Sequence, residues 1–455
     1  MDSIRFRFIA TMALFAALVA PSLTHAEAGV PQEHMLDNGL KVLIQEDHKA
    51  PLVMFMIWYR VGGMDEVSGK TGLSHLLEHM MFKGTARYGN KVLSRTVQKN
   101  GGIDNAFTSK DYTAYFQILP SDRIGISLGF ESDRMRGLLL DPKETLSERD
   151  VVMEERRLRY DDDPQNSLYE QTMAAAFNVH PYARPVIGWM ADLASIEPGD
   201  LREHYQKYYS PDNAVIIVVG DVEPAKLLRD IKAAFGGLKP YKGERRSLIS
   251  QEPPQSGQRR VYLRKEAELP YLLAAYHVPN VPEQDTYALD VLSEILSGGK
   301  SGRLYRSLVY DRKLALSASA SNESLSRDPS LFMLEASAAR GVSAEKLEEA
   351  LMAEVERLRK EPPTDFELQK ALNRLEAQFI MDQDSIYYQA MMLGWFEMNG
   401  DWHRRDEYID NIRKVTADDV TRVADKYLSE DNRTVGVLIP VPSSKTAARG
   451  KEAAR

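Results

Sequence analysis

The sequence predicts an α+β protein of two homologous domains, each a mostly antiparallel sheet covered by helices on one side, related by internal duplication. Three observations lead there. Strand-length and helix-length patterns alternate in the first half, two blocks recur at a nearly constant shift, and a Gly- and Pro-rich stretch lies between the copies.

Along the chain, Arg5 and Arg7 precede an apolar run from Phe8 to Ala20, which Pro21 breaks before the small exit Thr24-His25-Ala26. Residues 1–26 therefore read as a cleaved signal peptide. The run is too short to cross about 30 Å of hydrocarbon, and no later stretch is apolar enough to span. Gly39–Gln45 and Leu52–Val61 then read as strands, and Thr71–Lys83 as a helix stopped near Gly84. Lys91–Asn100 is a helix ended by Gly101-Gly102. Asn105–Ser109 and Tyr112–Leu119 pair as strands around Lys110-Asp111, and Ser121–Arg136 and Glu144–Tyr160 are helices.

The repeat is visible in residues. Asp200, Lys207, Tyr208, Ser210, Asp212 and Asn213 meet Asp419, Lys426, Tyr427, Ser429, Asp431 and Asn432 at a shift of 219. Ser167, Tyr169 and Gln171 meet Ser385, Tyr387 and Gln389 at a shift of 218. Agreement to one residue between distant blocks argues for a duplicated unit. The expected division is a domain over 30–240, a linker over 241–259, a second domain over 260–440, and a disordered basic tail over 443–455.

Composition excludes several function classes. The 66 acidic residues outnumber 58 basic ones, for a net charge of −8, so nothing in the overall charge draws nucleic acid. Cysteine is absent, so a disulfide framework, a thiolate metal site and a cysteine nucleophile are impossible. An exported, cysteine-free, soluble chain fits a bacterial periplasm. A metal site must use His and carboxylates, and there are only 9 His to search.

His75-Leu76-Leu77-Glu78-His79 is the densest chemical signal. Residues four apart share a helix face, so His75 and His79 can address one ion while Glu78 reaches water held there. The order H-x-x-E-H is the inverzincin order. A third ligand must come from elsewhere. Glu148, Glu154 and Glu155 are all candidates by position, and Glu148 and Glu155 share a face of a helix that Val151 and Val152 turn toward the core.

With GLSHLLEHMMFKGT, DNAFTSKDYTAY, ERDVVMEERR and HPYARPVIGW on the page, the mature chain resembles the pitrilysin/insulysin zinc endopeptidases, including the mitochondrial processing peptidases. The resemblance implies one Zn2+ per chain, held by His75, His79 and Glu155, with Glu78 as general base and Glu148 supporting a ligand. It also implies that Asn105, Ala106, Phe107 and Thr108 form an edge strand to which a peptide substrate adds. The second unit reads ALDVLSEILSGG where the first has its histidines, so it lacks the metal set.

Another departure bears on partners. Active single-chain relatives carry an Arg and a Tyr seven residues apart in the second half; here Val309 and Leu316 stand in those places, with Tyr310 and Arg312 out of phase. Neither apolar side chain can donate to an oxyanion, a loss that typically costs about 10²–10³ in turnover. The expectation is a heterodimer whose homologous partner supplies the Arg and Tyr, with a homodimer as the alternative. The family's closed chamber uses four such domains, and this chain holds two. The competing class is a non-catalytic assembly or binding subunit; retention of His75, Glu78, His79 and Glu155 weighs against it.

Overall fold

The computed structural model of the chain describes residues 29–245 and 250–442. The expected signal peptide (1–26) and tail (443–455) lie outside the described residues, as do residues 246–249 of the expected linker. No helix among the described residues is long and apolar enough to cross a membrane.

The first half builds a sheet from β1 (Gln32–Met35), β2 (Lys41–Glu46), β3 (Leu52–Tyr59), β4 (Ile103–Thr108), β5 (Thr113–Pro120) and β6 (Ala214–Gly220). Their order is β1-β2-β6-β3-β5-β4, antiparallel except for the parallel pair β2/β6. The second half contributes β7 (Arg259–Glu266), β8 (Tyr271–Val278), β9 (Ala315–Asn322), β10 (Ser330–Ala338) and β11 (Arg433–Val441). Their order, β7-β11-β8-β10-β9, repeats the first sheet without β1, and again only one pair, β7/β11, is parallel. The expected α+β halves are present, and the repeat extends from side chains to topology.

Side-chain alternation shows what covers each face. Along β3, Val53, Phe55, Ile57 and Tyr59 join the core under the first half's own helices, while Met54, Met56 and Trp58 join a separate core on the opposite face. β6 divides the same way, with Ile216 and Val218 against Val215, Ile217 and Val219. A strand buried on both faces reads as an unbroken apolar run. The second cover comes from the other half. Helix Ile386–Met398 lays Ala390, Met391, Leu393 and Phe396 on the first sheet. Helix Pro164–Ala176 lays Leu168, Met173 and Ala176 on the second, against Leu273, Ala275 and Leu438.

The halves thus exchange helices, and these are the helices that carry the upstream repeat block. Polar anchors fix the exchange. Glu397, 1% exposed, takes Arg60 at 2.6 Å and Lys41 at 3.0 Å, and Gln389 donates to Asp47 at 2.8 Å.

Candidate metal centre

Two helices of the first half carry the candidate site residues. The first of them, helix Leu73–Met80, buries Leu73, Leu76, Leu77 and Met80 in the first core, which turns His75 and His79 the other way. Its start is built with care. Gly72 has φ 94°, and a Cβ there would lie 2.6 Å from the Ile187 carbonyl oxygen, so only glycine fits. The buried Glu66 carboxylate accepts from Gly72 N–H at 2.7 Å and Ser74 N–H at 2.6 Å, satisfying donors that the first turn leaves free. Burial pushes the Glu66 carboxyl up to about 8 against those bonds.

The carboxylate helix, Pro142–Arg156, starts on Asp141, which accepts from Lys143 and Glu144 N–H at 2.9 and 3.1 Å. Val152 is buried, as expected, but Val151 is 49% exposed, because neighbours on a helix point about 100° apart. The expectation that both valines face the core is corrected here.

The two helices bring His75, His79 and Glu155 together, with one ligand atom from each lying within 4.8 Å of the others. Glu155 Oε2 is 3.4 Å from His79 Nε2 and 3.9 Å from His75 Nε2. A tetrahedral ion with bonds of about 2.0–2.1 Å needs donors about 3.3 Å apart, so two imidazole nitrogens and a carboxylate oxygen, drawn closer together, fit zinc. Glu148 Oε1 meets His79 Nδ1 at 2.9 Å, leaving Nε2 for the centre, and Lys83 pairs with Glu148's other oxygen. Glu154 points away and accepts from Arg157 at 2.7 Å, so the three glutamates divide into three environments.

Glu78 is one residue from His79, and Thr108 at the end of β4 donates to Glu78 Oε2 at 2.5 Å. β4 bonds only to β5, so its outer edge is free among the described residues. Strand alternation puts Ala106 and Thr108 on one face and Asn105 and Phe107 on the other. Ala106 packs on the first core, Phe107 meets Trp58 edge-on at 5.4 Å, and exposed Asn105 accepts from Ala106 N–H at 2.9 Å.

Protonation follows from these contacts. Burial, then repulsion from His79, pulls the His75 pKa down, which leaves the imidazole neutral. Burial opposes charge on His79, but its bonds to Glu148 and Glu155 outweigh that and raise it to about 9. The bond from His79, then that from Lys83, holds Glu148 down at about 2 against burial. Burial raises the Glu78 carboxyl above its ordinary value, while the Thr108 hydroxyl pulls it back. His75 Nδ1 is buried and has no hydrogen-bond partner among the described residues.

In the second half, helix Asp285–Ser297 puts Asp290 and Glu294 where the first has His75 and His79, a shift of 215. Glu294 pairs with Arg374, and Asp290 accepts from Asn322 at 2.8 Å and Tyr408 at 2.9 Å. Val309 packs partly buried against the second core, Leu316 is exposed on β9, and exposed Tyr310 lies under Arg306.

Sequence reasoning missed Lys83, Arg159 and the Thr108–Glu78 bond. The first two could have been found, since Lys83 is four residues past His79 and Arg159 four past Glu155. The third needs β4 laid beside the helix.

Residues 41–189 match the insulinase family (peptidase family M16), and residues 195–375 match the peptidase M16 inactive domain. The chain is 32% identical to the zinc protease PqqE of Helicobacter pylori over 423 residues, covering 91% of this chain and 95% of that one. It is 26% identical to the uncharacterized zinc protease YmxG of Bacillus subtilis over 401 residues, covering 88% and 96%. A crystal structure of a protease from Helicobacter pylori superposes with a TM-score of 0.88 at 32% identity, over 90% of this chain and all (100%) of that one. The periplasmic protease PqqL of Escherichia coli shares the fold at a TM-score of 0.74 and 19% identity, over 93% of this chain and 50% of that one.

Proposed function

Since the chain belongs to the insulinase family, peptidase family M16, we propose that it is a zinc-dependent endopeptidase that hydrolyses peptides or unfolded protein segments inside a closed chamber. One observation carries this reading: Glu78, raised by burial, stands beside the converging His75, His79 and Glu155. These three residues would hold one zinc ion per chain, which when bound supplies Lewis acidity at the scissile carbonyl and at water.

Glu78 takes a proton from the attacking water and passes it to the leaving amine. Glu148 fixes the ring of His79 through Nδ1. Residues Asn105–Thr108 of β4 offer their free edge to the substrate backbone, with Thr108 tying that edge to Glu78.

The domain division at 30–240 and 260–440 and export to the periplasm through a signal peptide at 1–26 belong to the same proposal. So does a heterodimer, with a homodimer as the alternative. Val309 and Leu316 support the heterodimer, because the oxyanion donors must then come from a homologous partner. Those same two residues favour the second reading, a non-catalytic assembly or binding subunit.

The experiment compares the wild-type chain with Glu78→Gln, each alone and mixed with a homologous M16 subunit lacking the metal motif. Zinc content and cleavage of an unstructured peptide are measured. The expected result is one zinc in both forms and a loss of hydrolysis of about 10²–10⁴ in the variant. Undiminished cleavage by Glu78→Gln would refute the catalytic role, and full activity of the isolated chain would dispose of the heterodimer.

A further inference from the structure

The two oxygens of Glu155 have separate partners. Oε2 faces the imidazoles, whereas Oε1 forms an ion pair with Arg159, whose Nε lies 3.1 Å away. The backbone arranges this. Just past Glu155 the helical ladder widens into a π-helical stretch, Arg157–Asp161, in which Asp162 N–H reaches back to the Arg157 carbonyl at 2.8 Å. Single π turns appended to α-helices gather at functional sites.

Within this stretch the arginines part company. Arg156 is buried and forks onto Glu170 at 2.7 and 2.9 Å; Arg157 turns outward to Glu154; Arg159 alone comes up on Glu155. The Arg159 side chain is 69% exposed, so packing does not force it there, and an exposed ion pair adds little to fold stability.

A carboxylate with both oxygens free can grip an ion with both and take up a position that water or substrate needs. We propose that Arg159 is a positioning residue that engages Oε1 of Glu155, so that this ligand meets the metal through Oε2 alone and a coordination position stays open. Glu148 performs the parallel task on His79 through its Nδ1. The inference rests on the zinc-peptidase reading and adds a residue to it.

The test uses the full chain, stripped of metal and reloaded with zinc alone. Zinc affinity is measured by competition with a chromophoric chelator for wild type, Arg159→Gln, Arg159→Lys and Arg157→Gln, and X-ray absorption reports the ligands around the ion. Loss of a partner behind a ligand typically weakens metal binding about 10–100-fold, and that is the expectation for Arg159→Gln. Arg159→Lys should recover part of the loss, Arg157→Gln none should show, and the absorption spectrum of Arg159→Gln should gain a second carboxylate oxygen. Thermal midpoints of the metal-free proteins should agree, which separates positioning from folding. Affinity of Arg159→Gln within twofold of wild type, an equal loss in Arg157→Gln, or an unchanged spectrum would each overturn the role of Arg159 and leave the zinc reading standing. A wild-type chain that binds no zinc would overturn both.

Discussion

At Glu78, burial and one hydrogen bond pull in opposite directions: burial lifts the carboxyl pKa and the Thr108 hydroxyl draws it back. Thr108→Val removes the second influence and keeps the volume, so the carboxyl should rise further. If Glu78 is the base, the acid limb of the pH–rate profile for peptide cleavage should move to higher pH, since the base then needs a higher pH to ionise. An unmoved limb would show that the hydroxyl has no hold on it. Neither partner announces the bond in sequence, because 30 residues separate them. The choice among Glu148, Glu154 and Glu155 was likewise open by spacing. Geometry separates them, with Glu155 facing both imidazoles, Glu148 behind His79, and Glu154 on Arg157.

Among elements, the second half offers a comparison for the first. Glu367, the counterpart of Glu148 at a shift of 219, supports a helix start in place of a histidine. It accepts from Arg303 at 2.7 and 2.8 Å and from Thr364 N–H at 2.9 Å, while Thr364 accepts from Glu367 N–H at 3.3 Å. The Arg303 bonds, against partial burial and with help from Thr364, hold its carboxyl at about 2, below the ordinary 4.5. The unfolded chain therefore binds this proton more readily than the folded one. The resulting stabilisation is complete above pH 4.5 and is lost as pH falls through about 2. Glu367→Gln should lower the denaturant midpoint at pH 7, and the gap from wild type should close as the pH drops below 4.5. A gap that stays constant with pH would assign the effect to shape and not to charge. The helix start itself was legible, since Thr364-x-x-Glu367 is a capping box in plain sequence.

Over the whole molecule, the exchanged helices join the two halves. Met391, Leu393 and Phe396 are at most 5% exposed, and burying each such side chain contributes about 1.5–3 kcal/mol. Three of them already approach the net stability of a typical domain, about 5–15 kcal/mol, so the halves should unfold together. The contact is close where Gly394 crosses β3, since a Cβ there would lie 2.2 Å from the Trp58 ring. Gly394→Ala should cost about 1–3 kcal/mol by overpacking, and the denaturation curve should shift as one transition for both halves. Two separate steps would mean that the exchange does not couple them. By itself the sequence determined the duplicated α+β halves, the inverzincin helix and the absence of its histidines from the second copy, because periodicity and spacing along one element are local properties. Only the tertiary structure decided which glutamate faces the imidazoles, that Thr108 bonds Glu78 and Arg159 pairs with Glu155, and that each sheet is roofed by the other half's helix. Those contacts join residues far apart in the chain, and their partners are chosen by how sheets and helices stack, which no run of neighbouring residues encodes.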